Sequence, residues 1–360
     1  MWNRIFTGLI RQSDSKQWGN WSLDPRIKVG SIGSLSTDGA FAPVGSLTGY
    51  ETETTRPSVA WQKSTKRVRR KTFEIQPEAG VTQIPVGTTG ITLDASGGFV
   101  VSWEFEAASE LMSEFNVSRI EFIRDAAQVA ASNKASLNAL ADSIGLRTAG
   151  SIDQGFGFIS SVVWAKSGIN AASRTQNSKL SISGKADAAG KLLGTTGLQA
   201  ALSGSYAVVH EEGDIDKQIW PAPGTADGEE IPVAYTFASF EGDILIPDWT
   251  GYIQNIVAEF RNAGSYVAKV EVSYKDSSGH VNETYAGISG GTSRQIIMPL
   301  DASDVAFDVT FVGYGNHVKL VVPSPLRQAH NGRLEYQIAG LWPSGPEVIP
   351  IGIQIADLTP

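Results

Sequence analysis

Apolar and polar residues alternate with a period of two over several segments of the chain, a pattern typical of β-strands. In the segment 82–107, Phe99, Val101, Trp103 and Phe105 fall on one face, and polar residues fall between them. The letters "DASGG" supply turn residues just before this run. The segment is therefore predicted to form a β-hairpin.

A second, longer hairpin is predicted further along the chain. Its outgoing arm is expected at 156–166 and its returning arm at 198–211, with a Gly- and Ser-rich connection between them. The apolar positions that we assign to its two arms are Phe158, Val162, Trp164, Leu198, Leu202, Tyr206 and Val208. Small uncharged residues alternate with them on the returning arm, so this arm offers one apolar and one polar face.

Helical spacing of apolar residues is confined to two segments. Residues 2–12 are predicted to form a short amphipathic helix, and the Ala- and Leu-rich stretch 107–146 is predicted to be the main helical region. Beyond 241–251 the period of two returns. The patterns predict an α+β chain: a domain 1–243 with a mixed antiparallel sheet and helices, and an all-β sandwich at 244–360.

Composition narrows the function classes. The chain has 360 residues, of which 41% are hydrophobic, so it is long enough for two or three globular domains. It contains no cysteine, which excludes disulfides, thiolate metal sites and a thiol nucleophile. No run reaches about 18 apolar residues, and the N-terminus lacks a signal-peptide core. We therefore expect a cytoplasmic soluble form that joins membranes when active, and any export by a route without a signal peptide.

Charge is unevenly distributed along the chain. The net charge is -8, yet residues 1–75 hold twelve Lys or Arg against six Asp or Glu. Six of these cations lie close together: Lys63, Lys66, Arg67, Arg69, Arg70 and Lys71. A solvated loop, a nucleic-acid contact and a lipid-headgroup contact are all compatible with such a block. Aromatic residues do not alternate with the cations, which disfavours nucleic acid, and each cation near an anionic membrane contributes about 1 kcal/mol.

Signatures of catalysis and cofactor binding are missing from the sequence. The four histidines, at 210, 280, 317 and 330, do not have metal-ligand spacing. No nucleophile elbow, phosphate-binding loop or zinc-protease motif occurs. We therefore predict no catalytic residues, no metal and no cofactor, and we expect that the protein is not an enzyme.

The first two thirds of the chain resemble gasdermins. The resemblance lies in the opening "MWNRIFTGLIRQSD", in the basic block after Trp61, and in "GFISSVVWAKSGINAASRTQNSKL" with the returning "LQAALSGSYAVVHEEGDIDKQIW". It covers about 1–240. It implies a pore-forming domain whose two hairpins insert into a lipid bilayer, with the basic block facing the membrane.

The C-terminal part is similar to another family. The stretch "RNAGSYVAKVEVSY" at 261–274 and the following "IIMPLDASDVAFDVTFVG" resemble strands in the terminal sandwich of cholesterol-dependent cytolysins. The Trp-rich, Cys-containing segment of those toxins is absent, so cholesterol recognition is not carried over. The resemblance implies a membrane-targeting domain, whereas an autoinhibitory role is the alternative.

The two resemblances imply the same activity for different parts of the chain. We interpret the protein as a cell-killing toxin that oligomerises and inserts two β-hairpins into a membrane, with lipid and copies of itself as partners and without nucleic acid. The rival interpretation is a β-rich binding or structural protein, such as a lectin-like one, whose hairpins stay folded. An enzyme ranks third.

Overall fold

The computed structural model of the protein describes residues 1–57, 61–75, 83–86, 91–94, 98–185, 206–221, 229–323, 325–328, 332–341 and 344–351. Strands account for 56% and helices for 10% of the structure. The predicted α+β class is therefore wrong, because the fold is built mainly from β-sheets and its helices are short.

Helices and strands are numbered in chain order. The helices are α1 (Trp2–Ile10), α2 (Ala126–Ser132), α3 (Lys134–Ser143) and α4 (Pro325–Gln328). The strands before residue 250 are β1 (Gln17–Gly19), β2 (Ser31–Leu35), β3 (Phe41–Ser46), β4 (Thr52–Thr55), β5 (Trp61–Ser64), β6 (Val68–Ile75), β7 (Gln83–Val86), β8 (Ile91–Asp94), β9 (Gly98–Phe105), β10 (Leu111–Ile123), β11 (Arg147–Thr148), β12 (Ser151–Ile152), β13 (Phe156–Ser173), β14 (Ser178–Lys185), β15 (Tyr206–Glu212), β16 (Ile215–Trp220), β17 (Ile231–Glu241) and β18 (Ile244–Ile246). The later strands are β19 (Asn255–Asn262), β20 (Ala268–Asp276), β21 (Gly279–Ile288), β22 (Ser293–Pro299), β23 (Ser303–Phe311), β24 (His317–Val322), β25 (Arg333–Ala339) and β26 (Glu347–Ile351).

The chain divides into two compact units. The first comprises residues 1–129 and 158–236, and the second comprises 130–157 and 237–360. The division passes through β13 and β17, so each of these long strands contributes residues to both units. The domain boundary predicted at residue 243 stays a prediction.

The largest sheet has ten strands. Its central order is β1-β17-β13-β10-β4, with β5 also paired to β10 and β16 also paired to β13. Helix α1 forms within the segment predicted to be helical and contributes Trp2, Phe6, Leu9 and Ile10 to a buried cluster. The cluster includes strand residues such as Phe115, so the apolar face of this helix is covered by the sheet.

The predicted main helix at 107–146 is largely wrong. Residues 111–123 form β10, which pairs with β13 on one side and with β4 and β5 on the other. Only α2 and α3 remain helical within this stretch. Pairing on both sides satisfies the backbone of β10 with partners that lie far away in sequence, and this tertiary pairing overrides local helix propensity.

The second unit contains two four-stranded sheets that share one core. Their orders are β22-β19-β25-β26 and β21-β20-β23-β24. Phe260 of the first sheet contacts Phe307 of the second at 5.2 Å between ring centroids, and it stacks on Tyr336 at 4.8 Å. The apolar positions predicted to share a face on β20, such as Val270 and Val272, are buried in this core.

Candidate functional site

A second sheet of the first unit is made of two hairpins that lie side by side. Its order is β15-β14-β9-β6, and all neighbouring strands are antiparallel. One hairpin pairs β6 with β9 around residues 76–97, and the other pairs β14 with β15 around residues 186–205. The hairpin predicted at 82–107 is therefore wrong in its pairing, because β8 pairs with β7, whereas β9 pairs with β6 and β14. Gly98 lies opposite both Ile75 and Lys185, and Tyr206 lies opposite Gly184. Both connections therefore leave the sheet at the same end.

Each strand of this hairpin sheet continues into a strand of the ten-stranded sheet. The links at 65–67, 106–110, 174–177 and 213–214 join β5 to β6, β9 to β10, β13 to β14, and β15 to β16. The order β6-β9-β14-β15 in the hairpin sheet is matched by β5-β10-β13-β16 in the larger one. All four neighbouring strands therefore pass from the larger sheet into the hairpin sheet at the same position along their length. The hairpin sheet is thus a folded-back continuation of the larger sheet.

The inward face of the hairpin sheet is apolar except for Arg70 of β6, which lies opposite Trp103. Val101, Trp103 and Phe105 of β9 are buried, as predicted from their spacing, and so are Leu180 and Ile182 of β14. They pack against residues of three strands of the larger sheet, β10, β13 and β16, namely Met112, Ile169, Ala171 and Ile215. The side chain of Phe99 lies outside the described residues, although its backbone belongs to β9.

The outward face of the same sheet carries charges and hydroxyl groups. Arg69, Glu104, Lys179 and Glu212 lie opposite one another across the four strands, so their charges alternate in sign along one row. Lys71 Nζ lies 2.9 Å from Glu104 Oε1. In the next row Ser102 Oγ and Ser181 Oγ are 2.7 Å apart.

A buried carboxylate joins the two sheets. Glu114 of β10 is 6% exposed. Its Oε1 atom accepts hydrogen bonds from Trp103 Nε1 at 3.0 Å and from Gln62 Nε2 at 3.2 Å. Arg70 Nε lies 3.0 Å from the same Oε1 atom. Trp103 and Arg70 belong to the hairpin sheet, whereas Gln62 and Glu114 belong to the larger sheet. The carboxylate therefore holds the hairpin sheet against its neighbour.

The structure separates the six cations of the predicted headgroup site. Lys63 donates a hydrogen bond to Ser13 Oγ at 2.7 Å, and Arg70 points inward to the buried carboxylate. Arg69 pairs with Glu106 on the outward face, as Lys71 does with Glu104. Lys66 and Arg67 are exposed in the link 65–67. The block is thus not one continuous surface, and its lipid-binding role stays a prediction.

The predicted arms of the second hairpin differ from the observed ones. Phe158, Val162 and Trp164 lie on β13 in the ten-stranded sheet, and the arm that precedes residues 186–205 is β14. Trp164 Nε1 donates a hydrogen bond to Glu121 Oε2 at 2.8 Å. Leu198 and Leu202 lie outside the described residues. Tyr206 and Val208 belong to β15, but their side chains also lie outside the description.

Three exposed aliphatic residues lie on adjoining loops at one end of the sandwich. Val267, Val312 and Leu341 are 39%, 65% and 67% exposed. Val312 N donates to Val267 O at 2.9 Å, and Ser265 N donates to Gly340 O at 3.1 Å, so the loops contact one another. Sequence reasoning missed this surface, because isolated aliphatic residues in loops have no periodicity that marks them.

Metal-binding clusters and membrane-crossing helices are both absent from the residues that the structure describes. Across that part of the chain, no group of His, Asp and Glu side chains is arranged to hold a metal ion. Within the same ranges, none of the helices has the length and apolar character needed to cross a membrane.

Comparison with known proteins gives weak structural matches. No protein-family model matches the chain, and neither does any curated protein. A disulfide-locked mutant of intermedilysin with human CD59 is 9% identical, covers 94% of this chain and 87% of its own, and has a TM-score of 0.22. The membrane pore complex of pneumolysin is 10% identical, with coverages of 91% and 85% and a TM-score of 0.20. The membrane-binding domain of pneumolysin is 14% identical, covers 28% of this chain and 98% of its own, and has a TM-score of 0.20.

These matches are with cytolysins, the family that the C-terminal sequence resembles. The resemblance to gasdermins gains no support from them. Because the TM-scores and identities are low, these matches do not assign a function to this chain.

Proposed function

We propose that this protein is not an enzyme and that it permeabilises lipid bilayers by oligomerising and inserting the two hairpins as part of a β-barrel. The observation that carries the proposal is the hairpin sheet. It has two adjacent hairpins, both connections at one end, one polar face and one face that is apolar apart from Arg70. A transmembrane barrel needs strands with this division between a lipid side and a water side.

The two faces have defined roles in the inserted state. The apolar residues Val101, Trp103, Phe105, Leu180 and Ile182, now packed against the larger sheet, would contact lipid. The row that contains Glu104 and Lys179 would face the water-filled lumen. Moving the apolar face from the protein core to hydrocarbon keeps it away from water, so most of its burial free energy, roughly 25 cal/mol per Å², is retained.

Oligomerisation follows from the backbone of the outer strands. Within the described ranges, β6 and β15 each pair with a single neighbour. Unpaired N–H and C=O groups cannot be placed in hydrocarbon, because no water is available to satisfy them. A single copy therefore cannot insert its sheet, whereas a closed ring of copies leaves no free edge.

The sandwich loops suggest how the protein reaches the bilayer. Val267, Val312 and Leu341 present aliphatic side chains to solvent on adjoining loops. Such a surface favours a targeting role for the C-terminal region over an inhibitory one, since its aliphatic side chains are free to enter the interface of a membrane.

The test uses a dye and a lipid-borne quencher. The cysteine-free chain allows a single label at Val101→Cys or at the adjacent Ser102→Cys, on opposite faces of β9. With leaking vesicles, a nitroxide on the acyl chains should quench the dye at 101 and not at 102. Equal quenching at both sites, or vesicles that never leak, would favour the rival non-inserting binding protein.

A further inference from the structure

A buried glutamine ties separate segments of the second unit together. Gln154 lies just before β13 and is 5% exposed. Its Nε2 atom donates hydrogen bonds to Glu241 Oε2 at 2.8 Å and to Ile253 O at 2.6 Å. Its Oε1 atom accepts from Trp249 Nε1 at 3.0 Å and from Ile253 N at 2.9 Å. An amide side chain has two donor hydrogens and two acceptor lone pairs, so all four bonding positions of Gln154 are used. We call these four residues the joint.

The partners of Gln154 are distant in sequence. They lie 87, 95 and 99 residues further along the chain. Glu241 ends β17, whereas Trp249 and Ile253 belong to the connection between β18 and β19. Next to Gln154, Gly155 N donates to Ser239 Oγ at 2.8 Å. The start of β13, the end of β17 and the chain that enters the sandwich are therefore held at one point.

Contacts continue from the joint into the sandwich. Ile253 Cδ1 would lie 3.3 Å from a Cβ atom placed on Gly332, so the Ile253 side chain packs against the start of β25. Gly332 O in turn accepts a hydrogen bond from Val257 N of β19 at 2.7 Å. Helix α4 lies against β18, and its Leu326 packs against the core of the sandwich. The joint is thus continuous with the two central strands of one sandwich sheet.

The joint and the exposed aliphatic loops lie at opposite ends of the sandwich. Strands β19 and β25 are parallel, and the joint lies where both of them begin. Val267 and Leu341 follow the ends of these two strands. The eight residues of β19 rise about 3.3 Å each, so roughly 25 Å of strand separates the joint from the loops.

We propose that the joint keeps the sandwich and the start of β13 in one fixed orientation, also after the sandwich has bound a membrane, and that Gln154 is its positioning residue. The inference rests on the proposed function, in which the aliphatic loops contact the bilayer. The joint then sets the direction in which β13, the strand that leads to β14 of the hairpin sheet, leaves the membrane-bound sandwich.

A saturated amide suits this role. Hydrogen bonds are directional, so a planar amide bonded at four positions fixes the distance and the direction of each segment that it contacts. Apolar contacts alone would let the segments slide past one another. Separating the segments would leave buried polar groups unpaired, which is strongly unfavourable. We therefore expect the joint to stay closed when the hairpin sheet moves.

Hydrogen exchange tests whether the joint stays closed. The N–H group of Ile253 is bonded to Gln154, and that of Trp249 is bonded to Phe237 O at 3.0 Å, so both should exchange slowly in solution. In protein floated with vesicles of phosphatidylcholine and phosphatidylserine, the peptide 249–254 should keep this protection. Faster exchange of the peptide on vesicles than in solution would overturn the inference.

Substitution of Gln154 tests its positioning role. Gln154→Met removes all four hydrogen bonds and keeps the length of the side chain. Vesicle binding should be retained, because the aliphatic loops are remote. Leakage per bound protein should fall about tenfold, since loss of the bond to the Glu241 carboxylate alone shifts the orientation equilibrium by about that factor. Equal leakage per bound protein for Gln154→Met and wild type would contradict the proposal.

A matched control removes a buried amide elsewhere. Asn20 is 3% exposed and bonds Pro232 O at 2.7 Å and Asp24 O at 3.2 Å in the first unit. Asn20→Leu therefore also deletes a buried, bonded amide, but it leaves the joint intact. Leakage per bound protein should be unchanged in this variant. A decrease equal to that of Gln154→Met would show a general effect of lost stability and would overturn the inference.

A swapped pair separates positioning from packing. Gln154→Glu keeps the size of the side chain but brings two carboxylates together, so leakage per bound protein should fall. Adding Glu241→Gln again places a donor opposite an acceptor, with the direction of the bond reversed. The double variant should recover part of the leakage, because only the bond to Ile253 O stays unmade. If the double variant leaks no better than Gln154→Glu, the positioning role is wrong. The same pair decides the question if Gln154→Met does not fold.

The outcomes separate this inference from pore formation. Vesicles that leak while the peptide 249–254 loses its protection would overturn the inference and leave pore formation standing. Protection that persists on vesicles that never leak would retain the closed joint and reject pore formation. If the protein does not bind the vesicles, both proposals are wrong.

Discussion

Arg70 and its neighbour Lys71 allow the contact between the two sheets to be measured. Both are cations on β6, but they point to opposite faces. The Arg70 side chain is 25% exposed and faces Glu114, whose side chain is 9% exposed. The Lys71 side chain is 50% exposed and faces Glu104 on the solvent side, whose side chain is 32% exposed. Replacing each with Met removes one charge and keeps a long apolar side chain.

The expected losses differ because of burial. Breaking a buried ion pair by removing one partner costs about 3–5 kcal/mol. Since Arg70 keeps partial contact with solvent, we expect Arg70→Met to lower the free energy of unfolding by about 2–4 kcal/mol. For a domain of this size that loss corresponds to a melting temperature lower by roughly 5–15 °C. Lys71→Met should cost no more than about 1 kcal/mol.

Urea unfolding of the two variants is the assay, with vesicle leakage as the functional measurement. If Glu114 holds the hairpin sheet in place, Arg70→Met should also make leakage faster, because the sheet separates more readily. A double-mutant cycle with Glu114→Gln isolates the coupling between the two side chains. Equal stability of the Arg70→Met and Lys71→Met proteins would refute the reasoning.

Three other features of the molecule can be tested by substitution. The double substitution Val312→Asp and Leu341→Asp should reduce vesicle binding in a flotation assay. The melting temperature should not change, because both side chains are mostly exposed. Unchanged vesicle binding would reject the role of this loop surface in membrane contact. Phe260→Ala should lower the free energy of unfolding, measured by denaturant titration, by about 3–5 kcal/mol, because the Phe260 ring is buried against Phe307 and Tyr336. A decrease below about 1 kcal/mol would contradict that packing. Burial raises the pKa of Tyr336 to about 12, above its unfolded value of about 10, so its contribution to stability is complete below pH ~10 and is lost as pH rises towards ~12. Tyr336→Phe should make that alkaline decline shallower in a pH series of unfolding curves, and an unchanged slope would contradict the assignment.

Local alternation was enough to predict the faces of several strands. The apolar face of Val101, Trp103 and Phe105 is buried, and so is the face of β20 that contains Val270. In a strand the side-chain period is fixed by the backbone, so these faces are readable without any knowledge of partners. The same reasoning placed Glu104 on the polar face, where it lies in the charged row.

Tertiary pairing decided the features that local pattern left ambiguous. Residues 111–123 lie between strands that are distant in sequence, and this pairing makes them a strand where composition favours a helix. The second hairpin begins at β14 because β13 is held by β10 along most of its length.

The charge pattern of the site also depends on the fold. The sequence determined that six cations lie close together and that acids follow residue 210. Only the sheet register places Arg69, Glu104, Lys179 and Glu212 opposite one another. Only the packing of the two sheets turns the Arg70 side chain away from solvent. Register and sheet packing arise from contacts between strands far apart in the chain, and a local pattern of residues carries no information about those distances.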